Sequence, residues 1–344
     1  MEPASPQLLY RETPGDDPGA VTVARNAMAT RFEILLYGED PVRLRAAGEE
    51  ALAEIERVEA RLSFYRPDSE ISRINRDASR GPVRVSARVF HLLLRAAELS
   101  RASDGAFDIT VAPLLRTWGF TARQGKVPCA ADLEQALGRV GTRHLKFDET
   151  KRTVAFDRSG VEIELGAIGK GHALDQAVEI LREGGISSAL LHGGTSAVYA
   201  LGAPPGEEAW KIAIPAPSSA AATPENTGDP GRPRFLAVIP LRDAALSVSA
   251  GWGKWFEIEG TAYTHILDPR TGSPVSERRL TAVAGPGCTD GDALSTGLLA
   301  GGLSLFDRIA GHASCRRALF MGWPPGAPKP TIRSHRIEME SHAE

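Results

Sequence analysis

The chain has 344 residues, 42% of them hydrophobic and 24% charged, which suffices for a sizeable core in one large domain or two closely packed ones. Its formal net charge of −3 excludes the basic balance of a nucleic-acid or anionic-membrane binder. The three cysteines, Cys129, Cys288 and Cys315, lie far apart with no CxxC pair. That excludes a disulfide scaffold, argues against zinc or iron–sulfur chemistry, and leaves buried inert thiols as the expectation.

Residues 1–20 are polar and acidic and read as a disordered arm, without a basic n-region, an apolar h-region or a lipobox-like cysteine. No window of about 18 apolar residues follows, so no spanning helix is expected. The chain as given reads as cytoplasmic; a trimmed amino terminus would make it periplasmic or membrane-anchored. The first predicted strand is Arg31–Tyr37, ending at Gly38. A helix opens at Asp40-Pro41 and carries Leu52, Ile55, Val58 and Leu62 at helical spacing. Ser86 caps a second helix with Val89, Leu92, Leu93, Ala96 and Leu99, and a short third covers Ala131–Leu137. Hairpin strands Leu145–Phe147 and Thr153–Phe156 precede a strand at Val161–Leu165, which turns into a helix from Lys170 to Glu183. Strand Ala189–His192 ends in Gly193-Gly194. After Trp210–Ile214, residues 215–233 are rich in Ala, Pro, Ser, Thr and Gly and read as a surface insertion. Strands return at Phe235–Ile239, Ala245–Ser249, Trp255–Ile258 and Leu280–Ala284, with helices from Asp292 and Leu305 and a hairpin containing Ala318–Met321. The folded unit spans 21–338, with a frayed tail at 339–344. Hairpins mixed with helices predict an α+β fold, not a doubly wound parallel sheet.

Four segments place glycine or polar residues where a plain core element would not. In Asp290-Gly291-Asp292-Ala293-Leu294-Ser295-Thr296-Gly297, Asp292 stands at the predicted helix start with Thr296 one turn on along the same face. Their oxygens could serve one hard cation, and Mg²⁺ accepts few protein ligands, taking the rest from phosphate and water. The simpler alternative is that Asp290 or Asp292 only caps the helix. In the segment from His265 to Pro274, a histidine at a strand end precedes a tight Asp268-Pro269-Arg270-Thr271-Gly272 turn. Imidazole suits general-base work near neutral pH, and a structural histidine is the alternative. ELGAIGKGHALD, Glu164 to Asp175, is a glycine-containing turn opening a helix, whose amides could face phosphate with Lys170 nearby. It matches neither GxxxxGK(S/T) nor GxGxxG. Ser103 to Leu114, running on to Trp118-Gly119-Phe120, mixes small residues and aromatics, as would a groove for a flat ring or an ordinary turn and core.

The segments MATRFEILLYGED, RLSFYRPDSEISRIN, SDGAFDITVAPLLRTWGF, ELGAIGKGHALDQA, HGGTSA, YTHILDPRTGSPV and DGDALSTG occur in this order. In sequence and order they resemble the motif series of the ApbE flavin transferases, over about residues 25–325. The resemblance implies an α+β fold related to T-fold modules, with antiparallel sheets, helices and an FAD cleft between two packed halves. It implies Mg²⁺ held by Asp292, Thr296 and the backbone carbonyl of Ala167, with Ser295 a weaker ligand. FAD, as substrate, would contact Met28, Tyr65, Ala106, Phe107, Asp108, Glu164, Lys170 and Leu267. His265 matches the residue that accepts the proton of an attacking threonine. The implied reaction is Mg²⁺-dependent transfer of FMN from FAD to a threonine of an acceptor protein, releasing AMP. Acceptors of the family carry an (S/T)GAT-type motif in subunits of Na⁺-pumping and related electron-transfer complexes; this chain contains no SGAT or TGAT. An FAD pyrophosphatase giving FMN and AMP, and a non-catalytic flavin-binding assembly protein, are the alternatives. Two departures stand out: Gly291 where many relatives have alanine, and His172 where an aromatic is usual.

Overall fold

The alternation of apolar side chains along the strands decides which helices cover which face. A computed structural model describes residues 19–122, 124–216, 235–252, 255–275, 278–324 and 326–339. The predicted arm, the insertion at 215–233 and the tail after 338 lie largely outside these residues.

The first half comprises β1 (Ala20–Ala27), β2 (Thr30–Tyr37), α1 (Pro41–Leu62), α2 (Glu70–Asp77), β3 (Val83–Arg84), α3 (Ala87–Ala102), α4 (Ala112–Thr117), α5 (Ala130–Leu137), β4 (Leu145–Asp148) and β5 (Thr153–Phe156). There follow α6 (Gly169–Glu183), β6 (Ala189–Gly193), β7 (Ala197–Leu201), β8 (Trp210–Pro215), β9 (Phe235–Leu241), β10 (Ala244–Ala250), β11 (Trp255–Ile258) and β12 (Thr261–Thr264). The chain closes with β13 (Arg279–Gly285), α7 (Cys288–Gly301), α8 (Phe306–Ala310), β14 (Arg317–Gly322) and β15 (Thr331–His335).

An eight-stranded sheet, ordered β1-β2-β6-β7-β10-β13-β14-β15 and antiparallel at every pairing, forms the frame. Phe32, Ile34 and Leu36 of β2 face a core shared with α1, α3, α6 and α7. The alternate residues Leu35 and Tyr37 join Trp210, Ile212 and Ile239 of the β8–β9 hairpin on the opposite face. A three-stranded sheet, β3-β5-β4, adds Val83 and Val154 to the first core. A third core of Leu114, Trp118, Ala136, Val140 and Leu267 joins α4 and α5 to the β11–β12 hairpin. This is the predicted α+β fold with antiparallel sheets. None of its described helices is long and apolar enough to cross a membrane.

The helix starts at Asp40 and Ser86 form as predicted: the Asp40 carboxylate accepts from Val42 N (3.0 Å) and Arg43 N (3.1 Å), and Ser86 Oγ accepts from Val89 N (3.4 Å). Other expectations need correction. The sequence reading begins at Arg31 and misses β1, which pairs with β2 across a Met28-Ala29 turn with φ of 49° and 57°. Such a hairpin turn usually announces itself with Asn-Gly or Asp-Gly, and here it does not. Val161–Leu165 is not a strand. Ile163 exchanges main-chain bonds with the Asn75 side chain (2.7 and 2.9 Å), and Glu164 N donates to Ile109 O (2.7 Å), so no neighbouring strand runs alongside. Of the three thiols, Cys288 and Cys315 are buried, but Cys129 is exposed at the start of α5, where its Sγ accepts from Asp132 N (3.5 Å). Burial pushes the Cys315 thiol up to about 11 and the Cys288 thiol well above its ordinary value, so both stay protonated.

Candidate active site

The starts of α6 and α7 pack together, and Asp292 lies at their junction. Helix α7 begins at Cys288, one turn earlier than predicted, so Asp292 lies in its second turn and cannot be its cap. The cap comes from α6: Asp175 accepts from Cys288 N (2.7 Å), Thr289 N (2.8 Å) and Thr289 Oγ1 (2.5 Å). Burial raises the Asp175 carboxyl, and those three donors oppose the rise. Asp290 is engaged elsewhere, bound by Arg95 of α3 through two bonds (2.9 and 2.5 Å). Burial alone would raise the Asp290 carboxyl; Arg95 and Ser314 outweigh it and hold it below the usual range. The capping alternative therefore fails for both residues.

Asp292, only 3% exposed, directs Oδ2 at the Gly171 amide (3.1 Å) and lies 3.9 Å from Lys170 Nζ. A Cβ at position 171 would stand 2.2 Å from the Cys288 carbonyl oxygen, so only glycine lets the two helices come this close. Because the Gly171 amide turns to Asp292, it does not occupy the Ala167 carbonyl four residues earlier, as a regular helix would. Ser295 is fully buried and committed, donating to Asp292 O (3.1 Å) and sharing a bond with Ser249 Oγ of β10 (2.8 Å). Thr296 is only partly buried, with Oγ1 3.3 Å from Ser249 Oγ, which makes it the better placed hydroxyl of the pair.

The donors offered here are a carboxylate, a hydroxyl and a carbonyl, all hard oxygens, and that chemistry fits Mg²⁺. Among the described residues no group of three His, Cys, Asp or Glu could hold a metal, so a soft-metal centre has no ligand set there. The Lys170 ammonium, 2.9 Å from Gly166 O, already reports that positive charge is favoured beside Asp292.

The other predicted residues come from five further segments. Gly297 and Gly301 of α7 let Ser103–Asp108 lie against the helix: a Cβ at 297 would be 3.3 Å from Phe107 Cβ, and one at 301 would be 3.2 Å from Ala106 Cβ. Asp108 is buried and accepts from Thr110 N (2.8 Å), Thr110 Oγ1 (2.6 Å), Ser100 Oγ (3.1 Å) and Thr142 N (2.9 Å). The fold saturates its carboxylate, which leaves its backbone for any ligand contact. Glu164 adjoins this segment through Ile109, and its Oε1 accepts from Gly166 N (2.8 Å).

His265 follows β12, and Leu267, 5% exposed, anchors the succeeding turn in the third core. Asp268 O accepts from Gly272 N (2.7 Å), its carboxylate grips the Arg270 guanidinium (2.9 and 2.7 Å), and Trp118 Nε1 donates to Gly272 O (2.8 Å). The Arg270 side chain reaches Gly105, so the histidine turn lies beside the 103–108 segment. Met28, at the tip of the β1–β2 hairpin, donates its amide to Glu59 Oε1 (2.7 Å) and holds a left-handed φ costly for a non-glycine residue. Tyr65 is 74% exposed and meets Phe64 edge-on at 5.3 Å. Sequence reasoning assigns no role to Asp175 or Ser249. The α7 amides that Asp175 holds are 113 and 114 residues away, and no local spacing signals that contact.

His172, one residue past Gly171, gives a pH prediction. Burial, then the charges of Arg88 and Arg61, depress its pKa from 6.5 to about 4, with Glu54 opposing. The folded value lies below the unfolded one, so as pH falls the unfolded chain takes up the proton first. Stability from this residue is complete above pH 6.5 and is lost between 6.5 and 4, in total about 3 kcal/mol. Urea unfolding of His172→Phe should therefore show less destabilisation than wild type between pH 7.5 and 4.5. Equal losses in the two proteins would contradict this environment for His172.

A model described as the ApbE family matches residues 28–316. The chain is 32% identical over 252 residues to a protein of Vibrio cholerae named FAD:protein FMN transferase, covering 71% of this chain and 70% of that one. A protein of the same name from Treponema pallidum is 29% identical over 288 residues, covering 79% and 76%. Among solved structures, the ApbE protein of Thermotoga maritima superimposes with a TM-score of 0.78 at 26% identity, covering 92% of this chain and 97% of its own. The flavin transferase ApbE of Vibrio cholerae gives 0.75 at 26% identity, covering 94% and 98%.

Proposed function

Because the chain belongs to the ApbE family, we propose that it is a flavin transferase that takes FMN from FAD and attaches it to a threonine of an acceptor protein, with AMP as the leaving group. The observation that carries this reading is the meeting of α6 and α7, where the buried Asp292 carboxylate takes the Gly171 amide and lies 3.9 Å from Lys170 Nζ. Asp292, Thr296 and Ala167 O would hold Mg²⁺, which when bound supplies positive charge to the pyrophosphate oxygens.

The remaining chemistry belongs to the chain's own residues. The 103–108 segment and the hairpin tip at Met28 would bind the flavin nucleotide, with Glu164, Lys170, Leu267 and Tyr65 completing its contacts. The threonine oxygen attacks the phosphorus on the FMN side and forms a new phosphoester bond. The bond from that phosphorus to the bridging oxygen breaks, and AMP leaves with the electron pair. His265 takes the threonine proton, and Lys170 offsets charge spreading over the phosphoryl oxygens; the amides of Gly166, Ile168, Gly169 and Gly171 are already bonded within the fold and do not serve there. An acceptor with an (S/T)GAT-type motif fits this chemistry, since its hydroxyl is the only nucleophile the scheme requires.

Chromatography of the nucleotides tests the reading. AMP should form in step with consumption of an SGAT-containing acceptor domain, and only with Mg²⁺ present. AMP and free FMN appearing at the same rate without acceptor would instead identify a pyrophosphatase.

A further inference from the structure

Two carboxylates tie α6 and α7 together in opposite directions. Asp175 of α6 takes three hydrogens from the first turn of α7, at Cys288 N, Thr289 N and Thr289 Oγ1 (2.7, 2.8 and 2.5 Å). One turn further along α7 and one turn back along α6, Asp292 takes the Gly171 amide (3.1 Å). Between the two ties, the missing side chain of Gly171 admits the Cys288 carbonyl. This arrangement fixes both the axial register and the separation of the helices. The proposed cation ligands are divided across that junction, with Ala167 O preceding α6 and Asp292 and Thr296 on α7. A small octahedral ion tolerates little error in such spacing, and partners behind the ligands typically alter metal affinity 10–100-fold.

We propose that Asp175 is a positioning residue for the cation site, setting the distance between Ala167 O and the α7 ligands; this rests on the reading of Asp292, Thr296 and Ala167 as metal ligands. Asp175 itself touches neither cation nor substrate, because its carboxylate is occupied by the α7 amides. Thr289 is part of the same device, contributing a hydroxyl as well as an amide.

The test is Mn²⁺ binding to the FAD-saturated protein, followed by electron paramagnetic resonance of the free ion. FAD affinity without divalent ions is measured in parallel by flavin fluorescence. Asp175→Ala should weaken Mn²⁺ about 10–100-fold and Thr289→Val about 3-fold, with metal-free FAD affinity within about 2-fold of wild type in both. Asp175→Asn keeps one acceptor oxygen and should fall between wild type and Asp175→Ala. Arg279→Ala removes a guanidinium that bonds Leu299 O (3.1 Å) at the other end of α7, and serves as a control for general loosening of the helix. It should lower the melting temperature yet leave the Mn²⁺ constant unchanged. Wild-type Mn²⁺ affinity in Asp175→Ala, or in both Asp175→Asn and Thr289→Val should the alanine variant fail to fold, overturns the proposal. So does an equal loss of affinity in Arg279→Ala. If instead Asp292→Ala binds Mn²⁺ like wild type, the metal-site reading fails first and the positioning role falls with it.

Discussion

Asp292→Ala is expected to lower FMN transfer at least about 10³-fold, since it removes the carboxylate among the proposed cation ligands and with it the stabilisation of charge in the transition state. The alanine change also strips the buried Gly171 amide of its acceptor, a loss of about 1–3 kcal/mol in stability. Asp292→Asn separates the two effects, because its amide oxygen can still accept from Gly171. The asparagine variant should melt near wild type yet remain as inactive as the alanine variant. Single-turnover transfer at saturating FAD, with melting curves for both proteins, decides the matter. Transfer within a few-fold of wild type in Asp292→Asn would remove the anionic ligand from the account.

His265→Ala is the second large effect: a fall in the transfer step of about 10²–10⁴-fold, the usual contribution of a general base. The turn after His265 is held by other groups, namely Leu267 in the third core, the Asp268–Arg270 pair and the Trp118 bond to Gly272 O. Removing the imidazole should therefore leave the turn and FAD affinity near wild type. A rise of acceptor reactivity with pH should replace the lost base, so the variant should recover most in alkaline buffer. A variant with weakened FAD binding but an undiminished single-turnover rate at saturation would make His265 a binding residue instead.

Much of this architecture is legible along the chain. The Asp40-Pro41 and Ser86 caps work through neighbours two and three residues on, so local sequence contains all their information. The motif series is likewise local, and it places Ala167, Lys170, Asp292 and Thr296 on two elements that the fold brings together. What the sequence hides is long-range. The Met28-Ala29 turn lacks the residues that advertise left-handed backbone, so β1 goes unseen. The start of α7 is misplaced by one turn because its cap is supplied by Asp175, and a reading that looks for a cap in sequence settles on Asp292. The alternating segment Val161–Leu165 reads as a strand, yet its main-chain partners are an Asn75 side chain and a loop carbonyl. Asp108 shows the same limit at the site: its position is visible in sequence, but not that four donors already saturate its carboxylate.

The most direct test of the central claim is intact mass spectrometry of an SGAT-containing acceptor domain incubated with this protein, FAD and Mg²⁺, alongside an EDTA control. The account predicts a gain of one FMN residue on the acceptor, absent with EDTA and lost when the motif threonine is changed to alanine. An acceptor of unchanged mass, with FMN and AMP accumulating free in solution, would contradict it.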